Sequence, residues 1–119
     1  MFLNLKHTEF EIYNVTRKLV MEGYKVTKSF PPEEKFSLIQ QSRRAIISEH
    51  LNPAEGASRN SIAERKRFYE ISRSSYVESD ADFDIAIDLK YCEEIQLKNL
   101  GNLLRDCFVQ LSSLNNSQN

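Results

Sequence analysis

Apolar residues recur along this chain in steps of three and four, separated by charged and polar positions. Between about residues 7 and 28, Phe10, Tyr13, Leu19, Val20, Gly23, Tyr24 and Val26 follow one side of a helical wheel with Lys, Glu and Arg between them, which predicts an amphipathic helix. Ser29-Phe30-Pro31-Pro32 ends it, because the residue before a proline is pushed out of the α region and proline has no amide to donate. Pro32 suits the first turn of a second helix, with Glu33 and Glu34 facing its positive dipole end. That helix is predicted over residues 32–51, with Phe36, Ile39, Arg43, Ile46 and Ile47 along one side. Pro53 predicts a break or kink after Leu51. Asn52-Pro53-Ala54-Glu55-Gly56 then reads as a cap and one extra turn, closed by Gly56 in a left-handed terminus.

Ser61-Ile62-Ala63-Glu64 has the spacing of a capping box, in which the serine accepts from the third helical amide and the glutamate reaches back. It opens a third helix, predicted over residues 61–90, in which Phe68, Ile71, Ser75, Val77, Phe83, Ile85, Ala86 and Leu89 carry the pattern. Ser72, Ser74, Ser75 and Ser79 are small for helix positions; they read as places where a neighbouring helix approaches closely, or else as a polar contact surface. The fourth helix, predicted over residues 94–114, is the clearest, since Leu97, Leu100, Leu104, Cys107, Leu111 and Leu114 form an unbroken stripe. Residues Asn115 to Asn119 read as a frayed polar tail. Four amphipathic helices joined by short breaks predict an all-α, antiparallel up-and-down four-helix bundle, a single domain over residues 1–119.

Composition supports this picture. Three Gly and three Pro in 119 residues leave few turns and long elements, and the length is enough to bury a core without disulfide or metal. The two cysteines, Cys92 and Cys107, share no ligand spacing with the two histidines, His7 and His50, so no metal site and no cofactor are expected. With neither a signal peptide nor a long apolar run in view, the expectation is a cytoplasmic protein away from the membrane.

Net charge is −1, yet it is unevenly spread: residues 43–73 hold seven Lys/Arg against four Glu, while residues 74–94 hold seven Asp/Glu against one Lys. The molecule is predicted to be polar end to end. Asp80-x-Asp82-x-Asp84 has calcium-loop spacing but lacks the loop's glycine and terminal glutamate, and reads as a solvated acidic face. His50 reads as a capping or interface histidine near a helix C-terminus, and Cys107 as a core thiol. No nucleophile, base and orienting group come together in the sequence; an enzymatic reading would rest only on His50 with Glu49, Glu55 and Arg59. The candidate site is instead the charge cluster around the second and third helices: Arg43, Arg44, Asn52, Glu55, Arg59, Glu64, Arg65, Lys66 and Arg67. As a structural network, Asn52 caps, Glu55 pairs with Arg59 or Arg43, and Arg67 reaches across. As a nucleic-acid surface, the same arginines and Lys66 grip phosphates.

Phe30-Pro31-Pro32-Glu33-Glu34, Gln41-Ser42-Arg43-Arg44-Ala45, Asn52-Pro53-Ala54-Glu55-Gly56, Arg59-Asn60-Ser61 and Arg67-Phe68 come one after another in an order and spacing that resemble the 23S rRNA intervening-sequence protein family. The resemblance covers roughly residues 7 to 114. Pro53 stands where the family's Asn-Ile-Ala-Glu-Gly motif has isoleucine, Glu49 and His50 where it has an apolar and a small or proline residue, and Ser72 and Ser74 where it has Ala and Gly. It implies a bacterial four-helix bundle that assembles as a homopentamer around a central channel, with no known enzymatic activity. A distant relative that binds RNA and a reverse transcriptase makes RNA the alternative partner. The many large rings, Phe10, Tyr13, Tyr24, Phe68, Tyr69, Tyr76 and Phe83, are a separate reason to expect that copies of the chain cover one another's surface, although an ordinary two-sided core accommodates them as well.

Overall fold

A computed structural model describes residues 2–118. Among these, four α-helices, α1 (Glu11–Thr27), α2 (Leu38–Ala57), α3 (Ile62–Asp88) and α4 (Lys98–Asn116), are interspersed with three short 3₁₀ turns at Lys6–Glu9, Pro32–Glu34 and Glu94–Leu97. Each helix packs against two neighbours, α1 on α2 and α4, α3 on α2 and α4. Cross-links run antiparallel: α1 meets α2 at Thr16 to His50 and Thr27 to Arg43, and α3 meets α4 at Glu70 to Asn115 and Arg65 to Gln118. The result is a four-helix arrangement measuring 44 × 28 × 24 Å, with Ile12, Leu19, Ile46, Tyr69, Tyr76, Phe83, Leu100, Cys107 and Leu111 at its centre.

α1 buries Ile12, Thr16, Leu19, Gly23 and Thr27 on one stripe, and its two buried threonines return their hydroxyls to the carbonyls of Ile12 and Gly23, each at 2.8 Å. α2 does not begin at Pro32. Glu34 instead accepts from the Ser37 hydroxyl at 2.5 Å and from the Leu38 amide at 3.1 Å, so the helix starts at Leu38 under a carboxylate cap. Tyr91 also donates to Glu34 at 2.8 Å, and these three donors hold the Glu34 carboxyl below its usual range.

The far end of α2 overturns the predicted break. Pro53 lies inside a helix that continues to Ala57, and Gly56 is helical, not left-handed; no glycine among the described residues has positive φ. A proline within a helix deprives the carbonyl four residues back of its donor. Here that carbonyl belongs to Glu49, and the Ser72 hydroxyl of α3 donates to it at 3.2 Å. A neighbouring helix thus replaces the missing backbone bond, and α2 runs on. Gly56 is required for room: a Cβ on it would lie 2.8 Å from Cε1 of the buried Tyr69 ring and 3.1 Å from Cβ of Phe68.

α3 opens as predicted with Ser61 accepting from the Glu64 amide at 3.1 Å, but the Glu64 side chain is exposed. It ends with Lys90 in a left-handed conformation, φ 65°, and the Tyr91 amide donating to Ala86 at 2.9 Å, a Schellman closure built without glycine. Glu93 and Gln96 cap the turn that leads into α4. α4 buries Leu100, Cys107 and Leu111 and outlasts its predicted end. Asn115 donates to Glu70, and Gln118 accepts from Arg65 at 2.7 Å, so the expected frayed tail is tied down as far as residue 118; Asn119 lies outside the described residues.

Chemical denaturation checks this packing. Ser72→Ala should lower stability by about 1–3 kcal/mol, because it strands the Glu49 carbonyl in the seam. The loss should shrink in a Pro53→Ala background, where residue 53 regains its amide; equal losses in both backgrounds would mean that the two residues are uncoupled. Gly56→Ala should cost about 1–3 kcal/mol through its clash with the Tyr69 ring. Gly101→Ala should raise stability by about 0.5–1 kcal/mol, as its Cβ would meet nothing nearer than the flexible Arg105 tip at 3.8 Å.

Candidate functional site

The α2–α3 seam is the most extensive helix contact in the molecule, and its inner face is polar. α2 contributes Ser42, Glu49, Pro53 and Gly56 to it and α3 contributes Ser72, Ser75, Ser79 and Asp82, all buried. Serines at these steps keep the interface thin, which lets the helices close on one another; Ser74, on the opposite side, is exposed. Glu49 is 0% exposed. One carboxyl oxygen accepts from Ser79 at 2.5 Å, and the other, Oε1, has no hydrogen-bond partner. Loss of water, reinforced by Glu78 and Asp82 nearby, pushes Glu49 up to about 9 against the single opposing bond from Ser79, so it is a neutral acid at physiological pH. The same burial, with Glu49 close by, drives Tyr76 upward and pushes the Cys107 thiol up to about 12. Cys107 is therefore an inert core thiol, as its place on the leucine stripe predicts. Asp82 is pushed to about 6 by burial and by Glu78. It is buried with Oδ2 unpartnered, so the expected solvated acidic face holds for its exposed neighbours Asp80 and Asp84 but not for Asp82 itself.

Outside this seam, a groove of about 870 Å³ runs along the outer face of α2. Gln41, Arg44, Ser48, Asn52 and Glu55 line it at helical spacing, between Leu5 and His7 on one side and Ser75 and Glu78 on the other. Its floor is a hydrogen-bonded chain: Asn52 donates to the Ser48 hydroxyl at 2.8 Å, and Ser75 donates to the same oxygen at 2.7 Å. Asn52 is thus a mid-helix linker rather than the cap predicted for it, because α2 passes through Pro53 without stopping.

The predicted charge network divides into separate pieces for the same reason. Positions 43 and 55 stand about 18 Å apart along α2 at 1.5 Å per residue. Arg43 serves the end of α1, donating to Thr27 at 2.9 Å and stacking 4.3 Å over Tyr24, where a cation favours the helix C-terminus. At the bend, Glu55 pairs with Arg59 at 2.5 Å in an exposed setting, an interaction worth at most about 1 kcal/mol, and the Arg59 guanidinium lies 4.8 Å over Phe68. Arg65 clasps the loop through the carbonyls of Arg59 and Asn60 at 3.2 and 2.9 Å. Arg44, Glu64, Lys66 and Arg67 are exposed; Arg67 does not reach across.

His50 faces α1, with Nδ1 2.7 Å from the Thr16 hydroxyl and its ring 4.7 Å from that of Tyr13. Burial first, then Arg17 and His7, lowers its basicity. Glu49 faces α3 and Glu55 faces solvent, so of the four residues on which an enzymatic reading would rest only Glu55 and Arg59 come together. Among the described residues, no helix is long and apolar enough to cross a membrane.

The buried acid has a measurable signature. Its folded-state pKa lies above the unfolded value of 4.5. The folded state therefore holds a proton that the unfolded chain releases, and stability falls as pH rises from about 4.5 to 9. Asp82 adds a smaller fall of the same sign between about 4 and 6. Glu49→Gln, which keeps a side-chain oxygen for Ser79, should flatten the decline above pH 6 and exceed wild type at pH 8 by on the order of a few kcal/mol in denaturation experiments. A wild-type curve parallel to that of the variant would remove the protonated-acid account.

No curated protein matches the chain. The family model described as 23S rRNA-intervening sequence protein matches residues 8–113, a span that takes in the Glu49 seam, the α2 and α3 residues of the groove and nearly the whole of the four helices. The chain belongs to the 23S rRNA-intervening sequence protein family.

Proposed function

We propose that this protein is a non-catalytic, cytoplasmic, homo-oligomeric scaffold, pentameric as its family resemblance implies, that presents the polar α2 groove to its surroundings. The observation that carries this reading is the apolar surface that one copy leaves uncovered. Between α3 and α4 a groove of about 390 Å³ is lined by Tyr76, Val77, Leu104, Phe108 and Val109, and Val77 and Val109 are 60% and 66% exposed. Exposed valines over an apolar groove offer a surface that a partner can cover. Burial of the strongly perturbed Glu49 and Cys107 in the core fits a reading without chemistry.

A second reading, RNA binding, is favoured by one observation. Arg44, Lys66 and Arg67 project into solvent without an ion pair among the described residues, so their charges are available to phosphate. Glu55, Glu64 and Glu70 lie among them, which places self-association first.

Light scattering on a size-exclusion column, with and without a structured ribosomal RNA fragment, separates the two. The scaffold predicts a mass near five times 13.9 kDa that is indifferent to RNA. RNA binding predicts a shift that disappears as salt rises and is lost in the Lys66→Ala/Arg67→Ala variant. A single-chain mass removes the scaffold.

A further inference from the structure

The segment ahead of α1 is a second uncovered apolar feature of the molecule. Phe2 and Leu3 are 87% and 74% exposed, and Leu5 is half exposed. They precede the turn Lys6–Glu9, which packs on α2 and α1, and so lie on the α1–α2 side of the bundle, opposite the α3–α4 groove. The segment cannot fill that groove in its own chain. Four extended residues span at most about 14 Å, while the bundle is 24 Å through its thinnest direction.

Charge points the same way as hydrophobicity. Beside the segment, Lys6, Arg59 and Arg65 line one pocket at the basic end of the bundle. Beside the α3–α4 groove, and continuous with it through Asp80, Leu104 and Arg105, Asp80, Asp84, Glu93 and Glu94 outnumber Lys98 and Arg105. Lys6 pairs with Glu9 at 3.5 Å only in an exposed setting, where such a contact is weak enough to exchange; with Arg59 and Arg65 beside it, this apolar projection and the acidic, apolar groove are complementary, and they occupy different faces of one chain.

We infer that Phe2, Leu3 and Leu5 of one copy seat in the α3–α4 groove of a second copy, packing on Leu104 and Phe108, with Lys6 against the Asp80–Asp84 edge. This rests on the proposed homo-oligomeric assembly and names its contact. Because donor and acceptor surfaces differ, the interface is heterologous and passes the chain head to tail, which yields a closed ring when the rotation closes.

Cysteine pairing in the full-length protein tests the seat. Leu3→Cys and Val109→Cys are both surface changes, and the native thiols Cys92 and Cys107 are buried and pushed upward by that burial, so they contribute little background. Oxidising a mixture of the two variants with diamide should give a covalent dimer containing one of each, while a Leu3→Cys and Met21→Cys mixture, with Met21 on α1 away from the groove, should not. Phe2→Ser/Leu3→Ser should shift the light-scattering mass of an otherwise helical protein to that of one chain, 13.9 kDa. A wild-type oligomer that gives no mixed disulfide, or that keeps its mass in the double-serine variant, overturns the seat and leaves the assembly standing. A wild type that is already a single chain overturns both.

Discussion

The α2–α3 seam depends on a carboxyl group shut off from bulk solvent. Glu49 cannot carry charge there without losing the hydration that stabilises it, so the fold holds it as a neutral acid against Ser79. The same residue's carbonyl is the one that Pro53 leaves without a backbone donor, and Ser72 supplies the substitute. Side chain and main chain of one residue therefore both accept from serines of the facing helix. Because serine is small, completing these bonds also brings α2 and α3 close enough for Gly56 to meet the Tyr69 ring. Polarity and close packing at this seam are consequences of one set of residues.

This arrangement explains where the sequence was legible. The α4 stripe and the arrest at Pro31-Pro32 depend only on local periodicity and on proline's missing amide, and both are visible in a string of letters. α2 from Leu38 to Leu51 is likewise legible. Its continuation from Asn52 to Ala57 was not, because the rule that a proline ends a helix assumes that its stranded carbonyl goes unpaired, and the donor lay nineteen residues downstream, at Ser72. Once α2 was cut at Leu51, Asn52 became a cap and Arg43 a neighbour of Glu55. The continuous helix makes neither true.

The charge cluster and the buried acid differ in how they read from sequence for a related reason. A charge cluster in sequence draws attention to long, flexible side chains, yet most of these lie in solvent where their interactions are weak. The strongly perturbed acid, Glu49, sits between the apolar Ile46 and Ile47 and the half-buried His50, and reads in sequence as one acid among seventeen. The usable signal was joint: a glutamate on the apolar stripe of one helix, opposite serines at positions 72, 75 and 79 of another. Such a pairing says that the stripe is closed by hydrogen bonds as well as by hydrocarbon.

The distribution of exposed charge along α3 adds a last step. Arg65, Lys66 and Arg67 crowd the first two turns of that helix and Asp84 and Asp88 its last two, so cations stand at the positive end of the helix dipole and anions at the negative end. Placements within the first or last turn cost about 0.3–1 kcal/mol where they are not screened or bonded, and Glu64 in the first turn offsets part of this. Arg65 recovers part of this through the carbonyls of Arg59 and Asn60; Lys66, Arg67, Asp84 and Asp88 remain exposed. A chain optimised only for its own helix stability would carry the opposite order. In the inferred head-to-tail contact, the basic end of one copy faces the acidic groove of the next. The arrangement that is unfavourable within a single α3 becomes attractive between chains, and it makes the strength of assembly sensitive to ionic strength in a way that the apolar seat alone would not.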